Sequence, residues 1–456
     1  MTLTTDDTAA PKGLFLVRTA ALTACAALTF GCDGRPALEE YGLGSASTAV
    51  TAGRVLIKMN AGAQMSFGYD IKQPGKADDL TSARANEIFN IDGMDLIRVP
   101  IYGGAEGINA HPAEGSVDAT KYADIVAATQ RALQARPNLK VFASLKSGEG
   151  DDTPGWTKSN GALLPGKYGR LLMDYVQFMK SNNINVTFLG PANEAPGMGV
   201  RFGATEWAQT VENFNSRCAN QTTVTCPEFV GNCSYNATTN GINFLTDLYA
   251  AGKFDLLGRA SIHYYSAERT PSLKADFDTW VNEARFKPKW DTELHWGDET
   301  LTDFGDAKSA LVAAFDEFDA DFRRIIFWNY VPESVDTLRA HIMSSFVRHT
   351  NDAFPLETDD HDGPSYAVGK FNTKALKQGN DVTLLVVNDT ADSYNARPVE
   401  IENRQFDPNV TYKTWTADSA GAPTTATATS YPRAGVVQIP IPAYSITMIR
   451  IPNVRL

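Results

Sequence analysis

The sequence predicts an α/β fold, a (β/α)8 TIM barrel with an appended C-terminal β-sandwich. Three observations carry this reading. Between residues 64 and 331, eight short runs of apolar, β-branched residues have the pattern of buried parallel strands, each followed by a segment with helical apolar spacing. No glycine-rich phosphate loop follows the first run, as a doubly wound nucleotide-binding sheet would require. Beyond residue 350 the helical spacing vanishes, and alternating strands appear between Asn-Asp, Asp-Pro and Thr/Ala turns.

In chain order, residues 1–31 read as an export signal, with Lys12 and Arg18 ahead of a nearly apolar stretch from Thr19 to Phe30. A helix of that length rises roughly 18 Å, short of the ~30 Å hydrocarbon layer, so it cannot span a membrane. Gly31-Cys32 suits either a lipoprotein signal, with a lipid anchor on Cys32, or plain cleavage nearby. Residues 32–53 read as a linker, their Gly/Ser/Ala/Thr stretch from Gly42 to Gly53 suiting either a linker or an edge strand. The barrel is expected over 54–349, with strands at 64–70, 96–101, 140–145, 186–191, 228–231, 259–265, 288–293 and 324–331. Helices are expected at 79–91, 119–135, 168–182, 204–217, 241–251, 272–285, 306–321 and 333–349, with Thr270-Pro271 and Gly305-Asp306 as start signals. The sandwich takes 350–456, with strands at 366–372, 381–388, 397–402, 410–415, 434–439 and 444–451. Residues 54–59 are a candidate extra strand.

The chain has 456 residues, and 41 Lys/Arg against 53 Asp/Glu leave a formal charge of −12. That balance excludes a basic nucleic-acid binder. Cys218, Cys226 and Cys233 fall close together, so an oxidising compartment would pair two of them, with three pairings open. No His lies near enough in this segment to favour zinc.

Reacting groups of such barrels sit at the C-terminal ends of the strands. Strand two carries Arg98, strand four ends at Asn193-Glu194, strand six at His263-Tyr264-Tyr265, strand seven at Glu293 and strand eight at Trp328-Asn329. Two carboxyl groups facing each other at roughly 5–5.5 Å suit retaining hydrolysis of a glycoside, one as nucleophile and one as acid then base. Glu293 is assigned the first role and Glu194 the second. Ionised Glu293 is expected to raise the pKa of Glu194, and Arg98 to keep Glu293 charged. Asn193 is placed for a sugar 2-hydroxyl, Tyr265 and Trp328 for stacking on a sugar ring, and His263 for orienting a carboxylate. Taken singly, Asn193-Glu194 reads as a helix start and Glu293 as a loop acid; their joint occurrence at strand ends four and seven argues otherwise. Asp359-Asp360-His361-Asp362 reads as a solvated loop, so no metal is expected.

These residues resemble the clan A glycosidases, and their order is similar to glycoside hydrolase family 30. Thr153-Pro154-Gly155-Trp156-Thr157-Lys158 precedes a helix ending near Asn182-Asn183-Ile184, then Gly190-Pro191-Ala192-Asn193-Glu194. His263-Tyr264-Tyr265, Trp290-Asp291-Thr292-Glu293 and Ile441-Pro442-Ala443-Tyr444-Ser445-Ile446-Thr447 resemble later motifs of that family. The resemblance implies a barrel with a side sandwich, retaining hydrolysis of β-glycosidic bonds without a cofactor, and Trp156 as a substrate-binding residue. Two positions depart from the family pattern: Ala195 intervenes before Pro196, and Ser144-Leu145-Lys146-Ser147 has a cation where the family has an aromatic. Lys146 is therefore expected to meet an anionic group on the glycan. The resulting expectation is an exported, monomeric enzyme that cleaves a polysaccharide, secreted or held at a bacterial surface by Cys32. The alternative is a non-catalytic carbohydrate-binding surface protein on the same barrel, which would often have lost one carboxylate.

Overall fold

The computed structural model describes residues 54–455 other than 74, 105–106, 147–152, 195–201, 236, 238, 266–270, 295–301, 360–370 and 420. The expected export signal, Cys32 and the linker to residue 53 lie outside the described residues, as do residues 360–362 of the acidic run.

Eight parallel strands close into a barrel in chain order: Ser66–Asp70, Leu96–Ile101, Lys140–Leu145, Phe188–Gly190, Glu228–Tyr235, Arg259–His263, Lys289–Leu294 and Phe322–Phe327. All eight runs expected from the sequence are strands. Runs such as Leu96–Ile101 are buried along their whole length, because side chains on one face fill the barrel and those on the other meet the helices. The outer helices include Ala123–Ala135, Pro165–Ser181, Ala204–Cys218, Thr239–Ala250, Pro271–Glu283, Asp303–Asp319 and Leu338–Thr350.

Several helix boundaries differ from expectation: the helix expected at 168 begins at Pro165 and the one expected at 333 begins at Leu338, and capping explains two further differences. The helix expected at 306 begins at Asp303, because the Thr302 side chain accepts from Gly305 N at 3.2 Å. The helix expected over 79–91 is broken into Lys76–Asp79, Ser82–Ala85 and a π turn at Asn86–Ile91, with Thr81 capping the second piece.

Leu96, Phe142, Phe188, Val230, Cys233, Trp290 and Ile326 fill the barrel interior. At the N-terminal end Arg324 lies 5.1 Å from the Trp290 ring centroid and pairs with Asp95. Towards the C-terminal mouth Arg98 lies 5.4 Å from the Phe142 ring centroid. Gly190 makes room for that arrangement, since a Cβ there would come within 3.0 Å of Ser144 Cβ and 3.1 Å of the Phe142 ring.

The second sheet has ten strands in the order Thr424–Thr427, Thr411–Thr416, Ser445–Ile451, Asp381–Asn388, Phe371–Gln378, Phe354–Asp359, Val55–Ala61, Tyr394–Ile401, Val436–Ile441 and Thr429–Tyr431. All neighbours are antiparallel except Val55–Ala61 with Tyr394–Ile401. The sheet folds over on itself, so that Ile57, Leu384 and Val386 share a core with Val399, Val437 and Ile439. Its other face joins the barrel's core, where Leu385, Val387, Ile446 and Met448 belong to the same cluster as Phe318 and Phe346. Three strands of this sheet were not anticipated, Phe354–Asp359, Thr424–Thr427 and Thr429–Tyr431, and the strand expected at 366–372 runs instead over Phe371–Gln378, residues 366–370 lying outside the described residues. Among the described residues no helix is long and apolar enough to cross a membrane.

Candidate active site

The barrel mouth gathers Glu194, Glu293, His263, Tyr265, Arg98 and Asn193 into one network, and each is placed there by a local device. Glu194 follows strand four with φ 49°, in the left-handed region, and its N–H is held by Cys233 O at 2.8 Å. A glutamate in that region is strained, and such strain persists where surrounding contacts enforce it. Glu293 depends on a bulge. Trp290 points into the barrel, so an unbroken pleat would send Glu293 outward. Asp291 pairs with Ile325 and Leu294 with Phe327, which places three residues against two, and the extra residue turns Glu293 inward. Asp291 supports the bulge, its Oδ1 accepting from Glu293 N at 2.9 Å.

Carboxyl oxygens of Glu194 and Glu293 and a ring nitrogen of His263 all lie within 4.8 Å of one another. Tyr265 Oη is 3.0 Å from Glu194 Oε1 and 3.0 Å from Glu293 Oε2. A phenol has one hydrogen, so Tyr265 donates to one carboxylate at a time. His263 Nδ1 is 2.8 Å from Glu194 Oε1 and 3.4 Å from Glu293 Oε2. Arg98 anchors the floor. Its NH1 reaches Glu293 Oε1 at 2.5 Å, Asp70 Oδ2 at 3.0 Å and Thr292 O at 2.7 Å; Nε donates to Ser144 Oγ, and NH2 donates to Asn193 Oδ1. Lys72 Nζ adds a second cation on Glu293 Oε1 at 3.0 Å.

The electrostatics follow from this crowding. Burial works to raise Glu293, but His263, Lys72 and Arg98 outweigh it and hold the carboxyl well below its ordinary value. For His263 burial works to lower the ring, yet Glu293, Cys233 and Glu194 lift it to about 9, so it is protonated at neutral pH. Glu194 corrects the sequence expectation. Burial and Glu293 do push it upward, but the hydrogen bond and charge of His263 pull harder, and it lies below the ordinary glutamate value. The site thus holds its exchangeable proton on His263, in contact with Glu194.

Trp328 and Lys146 complete the mouth. The Trp328 ring centroid is 6.0 Å from Lys72 Nζ and 5.6 Å from Lys146 Nζ. Trp156 sits in the turn Gly155–Thr157, packs on the hydrophobic core and donates Nε1–H to His111 O at 2.8 Å. The cysteine alternatives resolve to a Cys218–Cys226 disulfide, with Cys233 a buried free thiol.

Sequence reasoning missed Lys72, Asp70 and Cys233. Lys72 and Asp70 were within reach, because reading the end of strand one as the others were read yields Asp70-Ile71-Lys72. Glu194, His263 and Glu293 are also a donor set that can hold a metal. Lys72 and Arg98 already occupy Glu293 Oε1, however, and a divalent cation there would meet two positive charges.

No family model matches the chain, and no curated protein matches it. Solved structures do match. A glycoside hydrolase family 30 endoxylanase from Clostridium papyrosolvens is similar with a TM-score of 0.64 at 16% identity, over 88% of this chain and 100% of that one. The chain shares the fold of that structure. A family 30 subfamily 8 xylanase from Clostridium acetobutylicum gives 0.62 at 16% identity, over 88% and 99%. A conserved exported protein from Bacteroides fragilis gives 0.63 at 11% identity, over 87% and 100%.

Proposed function

We propose that the protein is an exported, retaining β-glycoside hydrolase that acts on a polysaccharide, with Glu293 as nucleophile and Glu194 as acid and base. The observation that carries this reading is the pair of carboxylates at strand ends four and seven, with oxygens within 4.8 Å and one phenol between them. That spacing leaves no room for the water an inverting enzyme places between its carboxyl groups, which are about 6.5–9.5 Å apart. The names of similar structures agree: an endoxylanase, a xylanase, a bifunctional glucanase-xylanase and an arabinofuranosidase. Export is supported by the residue 1–31 pattern and by the Cys218–Cys226 disulfide, which suits an oxidising compartment.

The chemistry runs in two steps. A bound sugar excludes water from Glu194 and raises its affinity for the proton on His263. Glu293 then attacks the anomeric carbon while the glycosidic C–O bond breaks, and the leaving oxygen takes the proton from Glu194. In the second step water attacks the same carbon, Glu194 takes its proton, and the bond to Glu293 breaks. Lys72 and Arg98 stabilise Glu293 as leaving group, and Tyr265 turns its single hydrogen towards whichever carboxylate is charged. Asn193, fixed by Arg98, lies beside the acid where a 2-hydroxyl would be met.

Two variants test the roles. Glu293→Ala should abolish turnover and regain it with azide, giving a product of inverted configuration. Glu194→Ala should lose about 10²–10⁴-fold on ordinary glycosides but spare substrates whose leaving groups need no protonation. Unchanged rates in both would remove the assignment.

A further inference from the structure

This inference rests on the glycosidase reading and concerns what holds its acid and base in place. The main chain of Glu194 lies in the left-handed region, and the regular pairing of strand four with strand five has already ended, at Leu189 with Phe229. The bond from Glu194 N to Cys233 O rejoins the two strands at the mouth. The direction of the Cys233 carbonyl therefore bears on where Glu194 stands.

Cys233 is itself held in an unusual position. Val230 and Cys233 both lie in the barrel interior, although an unbroken pleat would turn them to opposite faces. A bulge reconciles them. Asn232 pairs with Ser261 and Ser234 with Ile262 on strand six, so three residues stand against two, and Cys233 is the extra one. An extra residue leaves the ladder, and a φ of 52° places Cys233, like Glu194, in the left-handed region. Ser261 supplies the contacts that the ladder does not. Its Oγ accepts from Cys233 N at 3.0 Å and donates to Cys233 Sγ at 3.3 Å, so one hydroxyl fixes both the main chain and the side chain of the bulged residue. Ser261 is fully buried, and bulk water cannot stand in for that clamp. Strand seven uses a bulge for Glu293 as well, but there the carboxylate sits in the bulged strand, whereas Glu194 depends on a neighbouring one.

We infer that Ser261 and Cys233 are positioning residues for Glu194: the Ser261 hydroxyl clamps the strand-five bulge, and the carbonyl of the bulged residue sets the acid and base against the glycosidic oxygen. The test uses the full-length protein and substrates matched in sugar but not in leaving group. β-Linked trisaccharides of xylose, glucose, galactose and mannose are each offered beside the dinitrophenyl β-glycoside of the corresponding disaccharide. A departing sugar needs a proton from Glu194, and a departing dinitrophenolate does not. Ser261→Ala should lower kcat/KM about tenfold or more on the trisaccharide that the wild type cleaves, and leave the dinitrophenyl partner within about threefold of wild type. Both substrates are measured on one preparation, so a smaller folded fraction cancels from their ratio. Ser261→Thr keeps the hydroxyl and should recover most of the trisaccharide rate. Equal loss on the two leaving groups, or equal loss in the Ala and Thr variants, overturns the inference and leaves the hydrolase reading standing. No cleavage of any of these glycosides by the wild type overturns both.

Discussion

At the scale of single residues, the decisive group is His263. Its value of about 9 lies above the ordinary 6.5, so the proton shared with Glu194 stays in the site at neutral pH and is lost as pH rises through about 9. Glu293 is held well below its ordinary value, so the nucleophile stays ionised into acid conditions. The pH profile of kcat/KM should therefore be broad, with its alkaline limb near 9. In His263→Asn the proton must rest on Glu194 alone, and the alkaline limb should move down by about one unit or more. A limb that stays in place would show that the ring does not hold the proton. Arg98, Asn193 and Glu293 were visible in the sequence because strand order alone brings strand ends together. The depressed Glu194 was not, because its sign depends on a 2.8 Å contact with His263 that no spacing reveals.

At the scale of elements, the buried parallel strands were legible because each is an apolar run covered on both sides. The edge strands Thr424–Thr427 and Thr429–Tyr431 were not, being exposed, threonine-rich and without a buried stripe. The bulge in strand seven was also hidden: Trp290-Asp291-Thr292-Glu293 reads as an ordinary strand, and only its pairing with strand eight shows the extra residue. Asp291 is the element's support, fully buried and raised to about 7, mainly by that burial. Asp291→Ala removes the acceptor for Glu293 N and should lower kcat by about tenfold or more through misplacement of the nucleophile. Asp291→Asn keeps an acceptor and should retain most of kcat at pH 7. Equal loss in the two would mean that the charge, not the hydrogen bond, holds Glu293.

At the scale of the whole molecule, two cores serve one site. The barrel positions the carboxylates, and the folded sheet covers the helices Asp303–Asp319 and Leu338–Thr350, with Lys308 paired to Asp389 at 2.6 Å across that contact. The strand Val55–Ala61 precedes the barrel in sequence but is paired within the sheet, so chain order and spatial order part there. Ile57→Ala, in the sheet's own core, should cost about 2–5 kcal/mol of stability, read by denaturant unfolding, while kcat of the folded protein stays near wild type. A matching fall in kcat would show that the sheet shapes the site directly. Net charge, −12 over the chain, does not describe the mouth, where buried cations and buried carboxylates are paired with one another. The central claim, that Glu194 and Glu293 perform a double displacement, is tested most directly by proton NMR of the first-formed product from a cleaved β-glycan. The account predicts that the new reducing end appears first as the β anomer and only later mutarotates; an α anomer at the earliest times would contradict it.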